Sequence, residues 1–268
     1  MTIKAEIIAD SINEYGQRLT SIECTFHRFI LPEFNTYRKW SRNAQSSRAI
    51  PLSKRIAEVK ENPAFPVFWG MNQKGMVASQ ELETASIYDA KNTWYEAALA
   101  AADYAEILGQ LKLHKQTASR ILEPYLWHTS IVSSTEWDNM LNQRIHPDAQ
   151  PEFKVLAEHI YEAIWNSEPQ YIAAHRWHLP YISEYEKKKY EESTLMKASV
   201  ARVARTSYGK KDSWNIEEDV KLFNRLVLSE PIHYSPLEHV ARPIDRECLG
   251  NFDGWQQLRH LEDYWMES

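Results

Sequence analysis

Seven glycines are spread over 268 residues, and none of Gly16, Gly70, Gly75, Gly109, Gly209, Gly250 and Gly254 falls into a GxGxxG or Walker spacing. Those spacings let a backbone approach a diphosphate closely at a helix start. A dinucleotide bound by this chain would therefore not lie in a Rossmann crevice. A hydrophobic content of 43% still supplies a substantial core, enough for one large domain or two small ones. No internal repeat, low-complexity tract or Gly/Ser linker divides the chain, which points to a single intertwined α+β domain over residues 1–268.

A net charge of −6 excludes a general nucleic-acid binder, which needs a broad basic surface to displace counterions. A single anionic nucleotide remains compatible with it. No stretch approaches the roughly 20 apolar residues of a membrane span, and MTIKAEIIADSINEYGQ has charges where a signal peptide needs an apolar centre. A cytoplasmic protein without a membrane partner is expected. Cys24 and Cys248 are too few for a disulfide framework or a four-thiolate zinc site. Cys24 also lies in an alternating apolar stretch without a nearby histidine, so both cysteines are expected to be packing residues. His175-x-x-His178 has no third ligand beside it, and no metal is expected.

Residues 2–31 alternate in the manner of strands, and Pro32 opens a new element. Residues 33–43 are helix-compatible, and SRNAQSSRAIP reads as an ordered loop. Residues 84–115 form the longest helical candidate, with Trp94, Ala98, Ala101, Ala105, Leu108 and Leu111 on one stripe. Thr135 with Asp138 resembles a capping box, and Phe153, Leu156, Ile160 and Ile164 mark another buried stripe. Residues 166–193 break the periodicity and read as a surface excursion or a loop covered by a partner. Asn215 with Glu218 caps a helix ending before Pro231, and a strand and an amphipathic helix, GWQQLRHLEDYW, follow.

The segment from Arg38 to Arg48 collects hydroxyls, an amide and guanidinium groups within eleven residues, a set suited to a phosphate. Composition alone describes a solvated basic helix end at least as well. Spacing changes that. Ser41, Asn43, Ser46 and Arg48, with Arg38 before them, resemble the RHRxxSxNExSxRY signature of flavin-dependent thymidylate synthases. Thr36 and Tyr37 stand where that family has Arg and His, Ala44 where it has Glu, and Ala49 where it has Tyr. Further on, Arg120 to Pro124, TEWDNMLNQR and AQPEF are similar to the family's ARxxLP, NxxxLR and AQxEI elements. Arg120, Asn139, Arg144, Gln150 and Glu152 occupy the matching positions. Residues 201–239 resemble a module that the family carries near its N-terminus, an ARVSY-like start followed by HxSPxEH, with Ser207, Tyr208, His233 and Ser235 matching. That order resembles a circular permutation.

The resemblance implies an α+β fold with a mixed or antiparallel sheet and a bundle of long helices. It also implies transfer of a carbon from methylenetetrahydrofolate to C5 of dUMP, with FAD as cofactor and NADPH as reductant, in a homotetramer with shared sites. It places Ser46, Arg48 and Arg120 on the dUMP phosphate and sugar, Glu33 near the pyrimidine, and Arg144 on the uracil edge as the closest to a catalytic residue. Arg38, Asn43, Asn139, His233 and Ser235, with Tyr37 as a stacking candidate, are implied for FAD. The altered positions leave two alternatives open: a hydroxymethylase, in which water captures the exocyclic methylene, and a nucleotide-binding descendant without chemistry.

Overall fold

The computed structural model describes residues 1–207, 214–245 and 250–262. Strands β1 (Lys4–Asn13) and β2 (Arg18–His27) form an antiparallel hairpin, and Gly16 takes φ +80° in its turn. The short helix α1 (Leu31–Phe34) leads to β3 (Ser41–Ala44), followed by α2 (Leu52–Glu61) and the 27-residue α3 (Thr84–Gln110). Helix α4 (Lys115–Ala118) and a 3-10 segment, Ser119–Tyr125, precede β4 (Trp127–Ser134), α5 (Asp138–Arg144) and α6 (Pro151–Trp165). Strand β5 (Gln170–Ile172), α7 (Glu184–Lys189), α8 (Glu192–Ala204) and α9 (Ile216–Val227) come next, and the two-stranded ribbon of β6 (Ala241–Pro243) and β7 (Trp255–Gln257) closes the described chain.

The main sheet has the order β3-β4-β2-β1-β5 and is antiparallel except where β5 joins β1. Its two faces differ in chemistry because side chains alternate along each strand. Ile22, Cys24 and Phe26 of β2, with Val132 of β4, pack against Phe34, Trp40, Phe153, Leu156 and Ile160. Each large apolar side chain buried here stabilises the fold by roughly 1.5–3 kcal/mol. On the other face Ser21, Ser133 and Ser41 are direct cross-strand partners, and all three are buried. Burying such a row is tolerable only if every hydroxyl is bonded. The C-terminal third supplies the partners: His178 Nε2 lies 2.8 Å from Ser21 Oγ, His239 Nδ1 2.8 Å from Ser133 Oγ, and Gln257 Nε2 donates to Ser41 Oγ at 2.7 Å. Ser21 and Ser133 bond to each other, and His178 Nδ1 lies 2.8 Å from Ser11 Oγ.

Residues 177–261 also build a core of their own, in which Met196, Val200, Phe223, Leu237 and Val240 are buried. A charged cluster braces it, with Arg202 held by Asp219 at 2.8 Å and by Glu186 at 2.5 Å, and Arg205 also paired with Asp219. Gly254 ties this part to the β1–β2 hairpin, since its carbonyl accepts from Asn13 Nδ2 at 2.9 Å. At φ +73° a Cβ there would run into the Gln17 side chain.

Several expectations are revised by this arrangement. Ser41–Ala44 is a strand and not part of a loop, because β4 offers it a free edge to pair with. The long helix does not join a bundle among the described residues; α3 packs on α2 and Ser119–Tyr125 around Val59, Ala98, Ala102, Ala105 and Leu122. Leu111, expected on its buried stripe, is 73% exposed just past the helix end. Thr135 does not cap α5; its hydroxyl accepts from the Asp253 backbone N–H. The stretch 166–193 is not wholly a surface excursion, since Trp177, His178, Leu179 and Ile182 are buried where they meet the sheet and the C-terminal core. The final amphipathic helix is instead β7 and a 3-10 turn, Leu258–His260. Residues 263–265 of that expected helix, together with Tyr208 and Cys248, lie outside the described residues. Asn215 caps α9 as expected, accepting from the N–H groups of Glu217 and Glu218. Among the described residues no helix is long and apolar enough to cross a membrane.

Candidate active site

The sequence-assigned residues fall into three groups. The first surrounds Arg144, the last residue of α5. Its Nε donates to Tyr37 Oη at 2.7 Å and its Nη1 to Glu33 Oε2 at 3.0 Å, while the guanidinium carbon lies 4.6 Å from the centre of the Phe153 ring. Three different contacts thus hold one cation that is only 20% exposed. Tyr37, expected to stack on a flavin, has its hydroxyl committed to Arg144 and Gln143 and its ring 4.8 Å from Trp40. Arg42 fixes the segment by donating to the Tyr37 carbonyl at 2.7 Å. Beside this group a cleft of about 340 Å³ is lined by Thr36, Tyr37, Arg38, Trp40, Asn139 and Gln143. Arg38 is exposed there, and Asn139 Oδ1 accepts from Gln143 Nε2 at 3.1 Å.

The second group joins distant motifs. Asn43 on β3 accepts from Ser235 Oγ at 3.1 Å, and its Nδ2 donates to the Val203 carbonyl at 2.7 Å and to Thr206 Oγ1 at 3.2 Å. The Ser46 backbone N–H donates to Ser207 Oγ at 2.7 Å. His233 is exposed, and its backbone N–H bonds the Leu226 carbonyl at 3.3 Å. Residues 203–207 and Ser235 therefore sit directly against β3 and the start of the loop after it.

The third group is a cationic corner. Arg48 is exposed, and Lys115 Nζ donates to the carbonyl of the next residue, Ala49, at 3.3 Å. That contact lays the Arg48 loop beside the segment carrying Arg120, whose Nη1 pairs with Glu123 at 2.7 Å. No hydrogen bond or ion pair among the described residues links this corner to the Arg144 group. Phe26 and Phe34 stand between them, with the Phe26 ring 5.4 Å from His128 and the Phe34 ring 6.1 Å from Phe153. Glu152, matched to the AQxEI element, is buried and accepts from the Val67 backbone N–H at 2.9 Å, which gives it a structural task. A larger cleft of about 540 Å³, lined by Tyr171, Arg176, Trp177 and Tyr190, contains none of the assigned residues.

Sequence reading missed the partners behind these residues. Arg28, His128 and Glu123 back the cationic corner, and His178 and His239 complete the serine row. Their contacts span about a hundred residues or more, so no local spacing announces them. His178 in His175-x-x-His178, Glu123 within Arg120 to Pro124 and His239 at the end of SPLEH were visible in the sequence, but none of those patterns pointed to these contacts. Cys24 is buried in the main core, and burial pushes its thiol well above the usual range, so it has no nucleophilic character.

No family model and no curated protein matches the sequence. Solved structures do. The UMP/dUMP methylase PolB from Streptomyces cacaoi bound with 5-Br dUMP superposes with a TM-score of 0.50 at 13% identity, covering 60% of this chain and 89% of that one. The likeness is one of fold. The same enzyme bound with 5-Br UMP gives a TM-score of 0.47 at 12% identity, over 60% and 88% of the two chains.

Proposed function

We propose that this protein is a flavin-dependent thymidylate synthase that transfers the methylene carbon of methylenetetrahydrofolate to C5 of dUMP. The junction of β3 with the displaced module carries this reading. Asn43 meets Ser235 across 192 residues and Ser46 meets Ser207 across 161, restoring in space the motif order that the sequence permutes. The fold likeness to a UMP/dUMP methylase supports a pyrimidine nucleotide as substrate.

The cleft beside Trp40, of about 340 Å³, has room for a part of FAD and offers that part an exposed cation, Arg38, and the amides of Asn139 and Gln143. Arg38 and Asn139 would hold it there, whereas Asn43 and Ser235, bonded to each other at β3, would support the site from the neighbouring seam where His233 is exposed. When bound and reduced by NADPH, FAD would supply the hydride needed to turn a transferred methylene into a methyl group. Arg144 acts on the uracil edge: a fixed cation there favours negative charge on the pyrimidine N3–C4–O4 edge, which makes C5 a better nucleophile without a covalent enzyme adduct. Glu33 and Tyr37 keep its guanidinium in one plane, so little reorganisation accompanies the reaction. Arg48 and Arg120 take the phosphate. Separation of the uracil and phosphate groups within one chain fits sites completed by neighbouring copies in a homotetramer.

Purified protein is expected to take up FAD stoichiometrically and to release tritium from dUMP labelled at C5 when methylenetetrahydrofolate and NADPH are present. A colourless protein that releases no label would favour a nucleotide-binding descendant without chemistry.

A further inference from the structure

Arg28 lies in the 3-10 turn that follows β2, outside every motif considered above. Its side chain is only 17% exposed. Nη1 donates to His128 Nδ1 at 2.9 Å, and Nη2 donates to Glu123 Oε1 at 3.4 Å. That same carboxylate oxygen accepts from Arg120 Nη1 at 2.7 Å. An imidazole that accepts at Nδ1 is neutral and carries its proton on Nε2, a buried atom with no partner among the described residues. His128 therefore braces Arg28 without adding charge. Burial, and then the charges of Arg28 and Arg55, hold it down to about 3.

Charge does not balance in this corner. Arg55, almost wholly buried, pairs with Glu58 at 2.7 Å, so among the described residues Arg28, Arg55 and Arg120 pair with two carboxylates, Glu58 and Glu123. Arg48 and Lys115, on the adjoining loop and helix, have no carboxylate partner among the described residues. The buried arginines, Arg28 and Arg55, each have a carboxylate, so the surplus charge lies on Arg48, Arg120 and Lys115 toward the surface, where a doubly charged group with several acceptor oxygens matches it best. The shared carboxylate matters as well. Facing Arg120 alone, Glu123 would neutralise it; shared with Arg28, it orients Arg120 and leaves its charge available.

We infer that Arg28, braced by His128, is a positioning residue for a phosphate monoester, acting through the shared Glu123 carboxylate on Arg120. This rests on the reading of Arg48 and Arg120 as the phosphate end of the nucleotide site.

Titration calorimetry of the full-length protein with dUMP, deoxyuridine and inorganic phosphate tests it, with circular dichroism as the control for folding. Arg28→Met should weaken dUMP and inorganic phosphate binding about tenfold, the scale of one lost charge-assisted contact, and leave deoxyuridine unchanged. Arg28→Lys should recover part of that loss, and carries the test if Arg28→Met does not fold. Because Arg28 acts through Arg120, the double variant Arg28→Met/Arg120→Gln should lose no more than Arg120→Gln alone. Equal losses for dUMP and deoxyuridine, strictly additive losses, or wild-type protein indifferent to both phosphate ligands would overturn the inference. Arg28-dependent binding of inorganic phosphate by a protein that ignores dUMP would uphold it and refute the nucleotide reading.

Discussion

Arg144→Ala is expected to abolish measurable turnover, a fall of roughly a hundred- to a thousand-fold or more, while circular dichroism and flavin uptake stay as in the wild type. The side chain ends a helix at the rim of the core and is held by Glu33 and Tyr37, so its loss leaves no large cavity. Its partners predict the pattern in related variants. Arg144→Lys keeps the charge but cannot span Tyr37 and Glu33 with one planar fork, and should recover little. Tyr37→Phe leaves the ion pair with Glu33 and should cost less. Near-normal turnover of Arg144→Ala, measured as tritium release from C5-labelled dUMP, would refute the role given to this residue.

Stability should fall steeply with acid, beginning well above the carboxylate range. His128, His178 and His239 are almost wholly buried, and burial lowers each to about 3; Arg28 and Arg55 add to this at His128, and His239 and Lys187 at His178. Each is neutral in the folded protein and titrates near 6.5 once unfolded. The sign follows: below about pH 6.5 the unfolded chain binds protons that the folded chain refuses. This part of the stability is complete above that pH and is lost as pH drops toward 3. With three such groups the loss approaches on the order of 4 kcal/mol per pH unit once their unfolded forms are protonated. Urea midpoints between pH 8 and pH 5 measure it directly. His239→Gln should make the dependence shallower by about one proton, and a midpoint that stays flat down to pH 5 would contradict the burial of these imidazoles.

The strands of the hairpin, the long helix, the buried stripe of α6 and the Asn215 cap were legible because each is a local pattern. Alternation, a period near 3.6 and a capping spacing need no knowledge of what lies across the core. Ser41–Ala44 was misread for the complementary reason: four polar residues become a strand only because β4 presents its edge. The serines at 21, 133 and 41 gave no warning that they form one row, since their meaning depends on register between three strands. The candidate site was legible residue by residue but not in its wiring. The family resemblance picked out Arg144, Glu33 and Tyr37 separately, and only the structure makes them one socket. Likewise the displaced SPLEH segment was visible as a motif, whereas its contact with Asn43 required the polar seam that docks the C-terminal third onto the sheet.

Carbon transfer to C5 is read most directly from the mass of the nucleotide formed when FAD-loaded protein is incubated anaerobically with dUMP, methylenetetrahydrofolate and NADPH. Dropping the folate from a parallel reaction separates carbon transfer from simple exchange at C5. The arrangement described here predicts dTMP, formed only when all components are present. A hydroxymethylated nucleotide would mean that water and not hydride captures the carbon, and unchanged dUMP from a protein that binds both FAD and nucleotide would contradict the account at its centre.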